Sequence, residues 1–208
     1  SGIKKISGHG DELLISCIYD SSIISINLKT GLKRKLHVCS YPSDICLSED
    51  YIYAACADSN SVLMLSSEGE LIASLKCGVS PVSLCINESF LFCAHEISKE
   101  LCIISAEDLY LIDKIKLANT PSCILSFSNI LLAACIDCEN TTRGCLYIYD
   151  LLLRQAGRMV LGEVPNHMAY AGDGKVFTVN SAEGTASICN ILTGETNTII
   201  TGALPDSV

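Results

Sequence analysis

The amino-acid sequence predicts an all-β fold, a β-propeller of five blades with four antiparallel strands each. Two observations lead to this prediction. Apolar runs of four to seven residues alternate with Gly, Asn, Asp and Ser, and no helical period runs through them. A proline-led phrase also returns at intervals of 39, 40, 44 and 40 residues, beginning at Pro42, Pro81, Pro121, Pro165 and Pro205. A period near forty residues with strand-like content is typical of propeller blades and other stacked arrays.

The unit that begins at Pro42 shows the four strands most clearly. The predicted strands are 44–47, 51–57, 61–65 and 71–76. Polar residues and the tight turn Glu68-Gly69 separate them. The second strand, 51–56, aligns with 90–95 at a shift of 39 and with 130–135 at a shift of 79.

The same alignment divides the whole chain, which we predict to be a single domain spanning 1–208. Residues 13–17 align with 52–56, so the first unit lacks only its proline, which Ile3 replaces. We expect repeat units at 3–41, 42–80, 81–120, 121–164 and 165–204. Residues 205–208 would then begin either a closing strand or a sixth unit.

The composition fits sheets that are covered on both faces. The 208 residues are 49% hydrophobic and 18% charged, and the mean hydropathy is +0.39. No apolar run approaches the ~20 residues that cross a bilayer as a helix, so we expect no membrane partner and assign the apolar excess to buried strands. In a propeller each sheet packs between two neighbours, which removes the polar alternation of a half-exposed strand.

Several short motifs resemble those of the YVTN-type β-propeller repeats, which are related to the NHL and lactonase-like propellers. They are Gly-x-x-Pro at Gly78 and Gly202, the pair Val179-Asn180, and a Thr-Gly turn at Gly194. The resemblance covers the chain and implies the propeller architecture, while it implies little about activity. The Asn that ends the second strand occurs only as Asn180, because Cys or His stands there in other units.

The formal charge of −9 argues against a nucleic-acid partner, because no basic cluster interrupts it. The acidic loops of the chain favour a protein or a small cationic ligand as partner instead. The sequence contains no phosphate-binding Gly loop, His-Glu-x-x-His, Gly-x-Ser-x-Gly or EF-hand loop. We therefore expect no cofactor.

The 13 cysteines are unusual for a chain of this size. An odd number without paired spacing is a poor disulfide framework. We therefore expect reduced thiols that act as small core hydrophobes, Cys56 among them, in a cytoplasmic protein. The chain begins Ser1-Gly2 without methionine, so a removed signal peptide remains an alternative.

The loops between the second and third strands, and those between blades, should emerge on one face. The candidate ligand-binding residues on this acidic face are Asp20, Asp58, Asn60, His95, Glu96, Asp137, Arg143, His167 and Glu183. The other interpretation is that these are the solvated loops of an acidic protein. His95, Glu96 and His167 could also hold a divalent ion and move a proton, as in propeller lyases and lactonases.

The fourth unit carries an insertion of four residues between its second and third strands. Cys135, Cys138 and Cys145 flank or lie within it, and Cys-x-x-Cys is a spacing used for zinc or redox chemistry. No second Cys-x-x-Cys completes a zinc site, so incidental thiols are the expected interpretation.

From the sequence we expect a non-catalytic binding or scaffold protein that presents its acidic loop face to a protein or small ligand. The alternative is a metal-dependent lyase or lactone hydrolase of the propeller type. A third hypothesis is that the chain is a purely structural module of a longer protein. No catalytic residue can be assigned from the sequence.

Overall fold

The computed structural model describes residues 2–137 and 143–205, and it confirms the all-β propeller class. These residues form five antiparallel sheets, each of four strands in sequence order. The chain divides into two compact units that are larger than the sequence repeats. We call them the first unit, which ends at Lys116, and the second unit, which begins at Leu117. No helix that could cross a bilayer occurs among the described residues.

The first unit contains three sheets. Sheet 1 comprises β1 (Ile3–His9), β2 (Glu12–Cys17), β3 (Ser22–Asn27) and β4 (Lys33–His37). Sheet 2 comprises β5 (Pro42–Leu47), β6 (Tyr51–Cys56), β7 (Ser61–Ser66) and β8 (Leu71–Leu75). Sheet 3 comprises β9 (Pro81–Asn87), β10 (Phe90–His95), β11 (Glu100–Ser105) and β12 (Leu111–Lys116).

The second unit contains two sheets. Sheet 4 comprises β13 (Thr120–Phe127), β14 (Ile130–Ile136), β15 (Arg143–Asp150) and β16 (Gln155–Glu163). Sheet 5 comprises β17 (Pro165–Gly172), β18 (Lys175–Asn180), β19 (Thr185–Asn190) and β20 (Glu195–Ile200). In four of the five sheets the first strand begins at the repeated proline or one residue before it, and in sheet 1 it begins at Ile3, which replaces the proline. The strand β5 therefore starts two residues earlier than predicted.

The second strands are buried on both faces, which explains their continuous apolar sequence. In β6, Ala54 packs into the cluster shared with sheet 1, while Tyr53 and Ala55 pack into the cluster shared with sheet 3. Successive side chains of a strand point to opposite faces, so a strand between two sheets needs apolar residues at every position. In the second unit, Leu132 and Val176 belong to the cluster between sheets 4 and 5.

Neighbouring sheets are joined by their first strands, which lie side by side within each unit. Ser43 in β5 donates a hydrogen bond to Pro81 O at 2.6 Å and contacts Ala55 O at 3.1 Å. Ser122 in β13 does the same in the second unit, with Pro165 O and Ala134 O as acceptors. The serine after the proline therefore connects one sheet to the next.

The expectation that Cys56 is a free thiol is wrong. Cys56 ends β6 and forms a disulfide with Cys39, which lies in the connection between β4 and β5. The Cα atoms are 6.1 Å apart, a separation that a disulfide spans. The connection passes over the end of the second strand, and this brings together two cysteines that the sequence separates by 17 positions.

Candidate functional site

The connections at one end of the first unit's strands form an interlocked surface, which we call the loop end. It comprises 18–21, 38–41, 57–60, 76–80 and 96–99. The backbone N–H of Glu96 donates to Ser80 O at 2.8 Å, and that of Ala57 donates to Tyr41 O at 3.2 Å. The Ser80 N–H donates to the side-chain oxygen of Asn60 at 2.7 Å. These bonds fix the loop 57–60 to the connections that enter sheets 2 and 3, and the loop 96–99 to the connection that enters sheet 3.

Most predicted residues of the first unit do lie at this loop end. Asp20, Asp58 and Glu96 are exposed, and the Glu96 carboxylate also accepts a bond from the Ser80 hydroxyl at 3.4 Å. Asn60 is half-buried, and its backbone φ is 54°. Its side-chain oxygen accepts the hydrogen bond from the Ser80 N–H and so holds the two loops together. Whether these residues bind a ligand stays a prediction.

His95 lies in the interior, with none of its surface exposed. It ends β10, and the connection between β8 and β9 covers it, with Gly78 against the imidazole ring. A Cβ on Gly78 would lie 2.4 Å from the ring, so a glycine is required at this close approach. His95 is thus separated from the exposed Glu96, its neighbour in sequence.

The second unit contains the remaining predicted loop residues. Arg143 and Glu183 are exposed, and Asp137 and His167 are half-buried. The Glu183 carboxylate accepts a bond from the Thr185 hydroxyl at 3.2 Å. The cluster of His95, Glu96 and His167 draws on both units and stays a prediction.

Cys135 and Cys145 face each other across β14 and β15, and both are buried. The thiol of Cys135 donates a hydrogen bond to the sulfur of Cys145. This hydrogen bond and the nearby Arg158 lower the pKa of Cys145 to about 7, against the opposing effect of burial. The same bond and burial raise the pKa of Cys135. Cys138 lies outside the described residues, so the predicted three-cysteine site is not tested.

A buried group of donors, which was not predicted from the sequence, surrounds His95. Its Nε2 lies 3.4 Å from the Cys77 sulfur and 3.7 Å from the Cys93 sulfur. The donor atoms of Cys77, His95 and Cys102 all lie within 4.8 Å of one another, close enough for one metal ion. Hydrogen bonds from Cys102, Cys93 and His95 lower the pKa of the Cys77 thiol despite its burial.

A signal for this group was present in the sequence. Cys93 and His95 are two residues apart in a predicted strand, so their side chains share one face. Cys102 pairs with Cys93 in the neighbouring strand and therefore belongs to the same face.

A cleft of about 290 Å³ opens at the opposite end of the strands, between sheets 1 and 2. The ionisable residues that line it are His9, Glu12, Arg34, Glu49, Asp50 and Glu68. The Glu12 carboxylate is already occupied, because Ser25 and Asn27 each donate to it at 2.9 Å. The cleft is at the small end of the range of ~300–1,000 Å³ typical of ligand sites, and its mixed charge indicates no particular ligand.

Comparisons with known proteins establish the fold class. No family model matches the chain, and no curated protein matches its sequence. The chain is similar in structure to hydrazine synthase from Kuenenia stuttgartiensis, with a TM-score of 0.86 and 16% identity over 99% of this chain and 68% of that one. It is also similar to virginiamycin B lyase from Staphylococcus aureus, with a TM-score of 0.80 and 14% identity over 99% of this chain and 73% of that one.

A third similar structure is BamB from Moraxella catarrhalis, with a TM-score of 0.69 and 13% identity over 93% of this chain and 60% of that one. The chain therefore spans between 60% and 73% of the length of these three structures. At such low identities the likeness shows the fold alone. The chain is a β-propeller protein, and its function has to be argued from its own surface.

Proposed function

We propose that this chain is a non-catalytic binding module that contacts a partner protein through the loop end of its first unit. The observation that carries the proposal is a set of exposed apolar side chains on this surface. They are Tyr19, Tyr41, Val79 and Ile97, with exposed fractions of 79%, 38%, 41% and 69%. Surface apolar groups gathered on interlocked loops are typical of protein interaction sites.

Carboxylates stand next to two of these apolar side chains. Asp20 follows Tyr19, and Glu96 precedes Ile97, and both acids are exposed. A partner surface with apolar side chains flanked by Lys or Arg would complement this arrangement. The net charge of −9 favours the same kind of partner through long-range attraction.

The rigidity of the surface also supports recognition. The loops are held by the bonds of Glu96 and Asn60 to the connection at Ser80, so few loop conformations have to be ordered on binding. The burial of His95 and the exposure of Glu96 argue against a shared catalytic site of the lyase type. The motifs at Gly78, Gly202 and Asn180 support membership of the YVTN-type propellers.

A photo-crosslinking experiment in the native cells tests this function. A crosslinking amino acid at Ile97, and separately at Tyr19, should capture one and the same partner protein, identified by mass spectrometry. The matched control is Leu32, an equally apolar residue that is 59% exposed on a turn at the opposite end of sheet 1. The same adducts at Leu32, or no adduct at either loop position, would contradict the proposal.

A further inference from the structure

Four potential metal ligands meet inside the first unit. They are Cys77, Cys93, His95 and Cys102, and none is more than 6% exposed. Cys77 comes from the connection between sheets 2 and 3, while the other three lie on the second and third strands of sheet 3. Ligands from two parts of the chain that converge in the interior can form a closed site.

Strand geometry places three of the donors on one face. Cys93 and His95 are two residues apart on β10, and Cys102 is the cross-strand partner of Cys93 on β11. Cys77 then approaches this face from the connection that covers the end of β10. Its sulfur is 3.4 Å from His95 Nε2.

The distances fit a tetrahedral ion with sulfur and nitrogen ligands. With zinc bonds of about 2.3 Å to sulfur and about 2.0 Å to nitrogen, a tetrahedral site places a sulfur and a nitrogen about 3.5 Å apart, and two sulfurs about 3.8 Å apart. The two sulfur-to-Nε2 distances are 3.4 and 3.7 Å, for Cys77 and Cys93. The donor atoms of Cys77, His95 and Cys102 lie within 4.8 Å of one another. The Cys93 sulfur is close to His95 Nε2, and a shift of this side chain toward the other two sulfurs would complete the set of four.

The polar contacts of His95 also favour a metal. Its Nδ1 is buried without a hydrogen-bond partner among the described residues, and Nε2 contacts only sulfur atoms. Sulfur is a weak hydrogen-bonding group, so a fully buried imidazole in this setting is poorly compensated for its lost hydration. A bond from Nε2 to a metal would compensate this nitrogen, whose present contacts are weak, although it would leave the Nδ1 N–H without a partner among the described residues.

The charge of a filled site would be balanced in part by a lysine. Three thiolates and a neutral imidazole around a divalent ion carry one net negative charge. The Lys114 ammonium donates a bond to the backbone oxygen of Cys77, one of the four proposed ligands. It also lies 3.4 Å from the Glu100 carboxylate, which holds it beside the cluster.

The preceding sheet shows that this place in the repeat accepts a cross-link. Cys56 is the counterpart of His95 at a shift of 39, and it is bonded to Cys39 on the connection entering its sheet. In sheet 5 the counterpart is Asn180, which donates to Ser187 at 2.8 Å. The end of the second strand is thus held by a disulfide in sheet 2 and by hydrogen bonds in sheet 5.

We propose that Cys77, Cys93, Cys102 and His95 form a structural zinc site that joins the connection between sheets 2 and 3 to sheet 3. Three cysteines and one histidine are a set that structural zinc sites use, with no position left open for chemistry. The ion would join the end of β10 to the connection that enters sheet 3, as the disulfide joins the end of β6 to the connection that enters sheet 2. This inference is independent of the proposed binding function, because the exposed apolar side chains of the loop end, Tyr19, Tyr41, Val79 and Ile97, are not ligands.

Metal analysis of the full chain, purified with a reductant and without chelator, tests the site. Wild-type protein should contain about one zinc per chain, and Cys77→Ser or Cys93→Ser should lower the content at least about fivefold. Cys17→Ala is the matched control, because Cys17 is a buried thiol that aligns with Cys56 and His95 in sheet 1. This control should retain its zinc.

Cobalt substitution keeps the test decisive where a variant fails to fold. Wild-type chain stripped of metal and refolded with Co²⁺ should show the strong visible bands of a tetrahedral ion and a sulfur-to-cobalt charge-transfer band. His95→Cys keeps four donors and should bind Co²⁺ with a shifted spectrum. Less than about one-tenth of an equivalent of zinc after refolding with excess Zn²⁺ would overturn the proposal. A disulfide between two of the three cysteines in the wild-type chain would overturn it as well.

Discussion

The hydroxyl of Tyr53 allows a sharp test of how the first unit holds its sheets together. Tyr53 lies on β6 of sheet 2 with 1% of its surface exposed, and its hydroxyl donates to the backbone oxygen of Ala106 at 2.7 Å. Ala106 follows β11 of sheet 3 and is itself buried. The Tyr53→Phe substitution removes one hydrogen bond between the two sheets and leaves the packed ring in place.

The loss of stability depends on the backbone oxygen of Ala106, which remains buried without the hydroxyl that donated to it. A buried carbonyl that loses its partner costs about 1–3 kcal/mol, more than the net value of a hydrogen bond whose groups return to water. We expect the free energy of unfolding to fall by about 2 kcal/mol. For a chain of this length the melting temperature should fall by about 4–8 °C.

Urea denaturation followed by circular dichroism measures this change directly. Tyr51→Phe is the matched control, since Tyr51 lies two residues away on the same face and its ring centroid is 6.4 Å from that of Tyr53. Tyr51 is only half-buried, which should limit the effect of losing its hydroxyl to about 0.5 kcal/mol. Equal stabilities of Tyr53→Phe and Tyr51→Phe would refute the bond between sheets 2 and 3.

Three further predictions concern other parts of the fold. The double substitution Cys39→Ser and Cys56→Ser should cost about 3 kcal/mol in urea denaturation, and a reductant should destabilise the wild type more than this variant. Asn180→Ala should lower the unfolding free energy by about 2 kcal/mol, because the Asn180 amide donates to the Ser187 hydroxyl at 2.8 Å and to the Thr185 hydroxyl at 3.1 Å, and both bonds are lost. Burial raises the pKa of Asp44, so the folded state favours its protonated form. Its contribution to stability is therefore largest below its ordinary pKa and falls as pH rises through the raised value. The stability of wild type relative to Asp44→Asn, from urea curves, should thus decrease as the pH rises above 3.8, the ordinary pKa of an aspartate.

The strands could be predicted because each repeat restates the same pattern. The phrase at Pro42 marks the start of β5, and the apolar run that follows it becomes β6, buried on both faces. Alignment at a shift of 39 then carried β6 onto β10. Local strand signals that agree with the period are reliable, since each unit confirms the others.

The buried donors could not be recognised in the same way. Cys93 and Cys102 stand in apolar runs, where a thiol is indistinguishable from a small hydrophobe in sequence. His95 was expected at the surface because it ends a strand, but the connection through Gly78 covers it. The disulfide was missed for a related reason, because Cys39 lies in a connection whose path the strand pattern does not specify.

We propose that a buried zinc ion fixes the end of β10 in sheet 3, as the disulfide between Cys39 and Cys56 fixes the end of β6 in sheet 2. Anomalous diffraction from a crystal of the native protein, recorded on both sides of the zinc absorption edge, tests it most directly. We predict one peak about 2.3 Å from the sulfurs of Cys77, Cys93 and Cys102 and about 2.0 Å from His95 Nε2. The absence of a peak among these four side chains would contradict the claim.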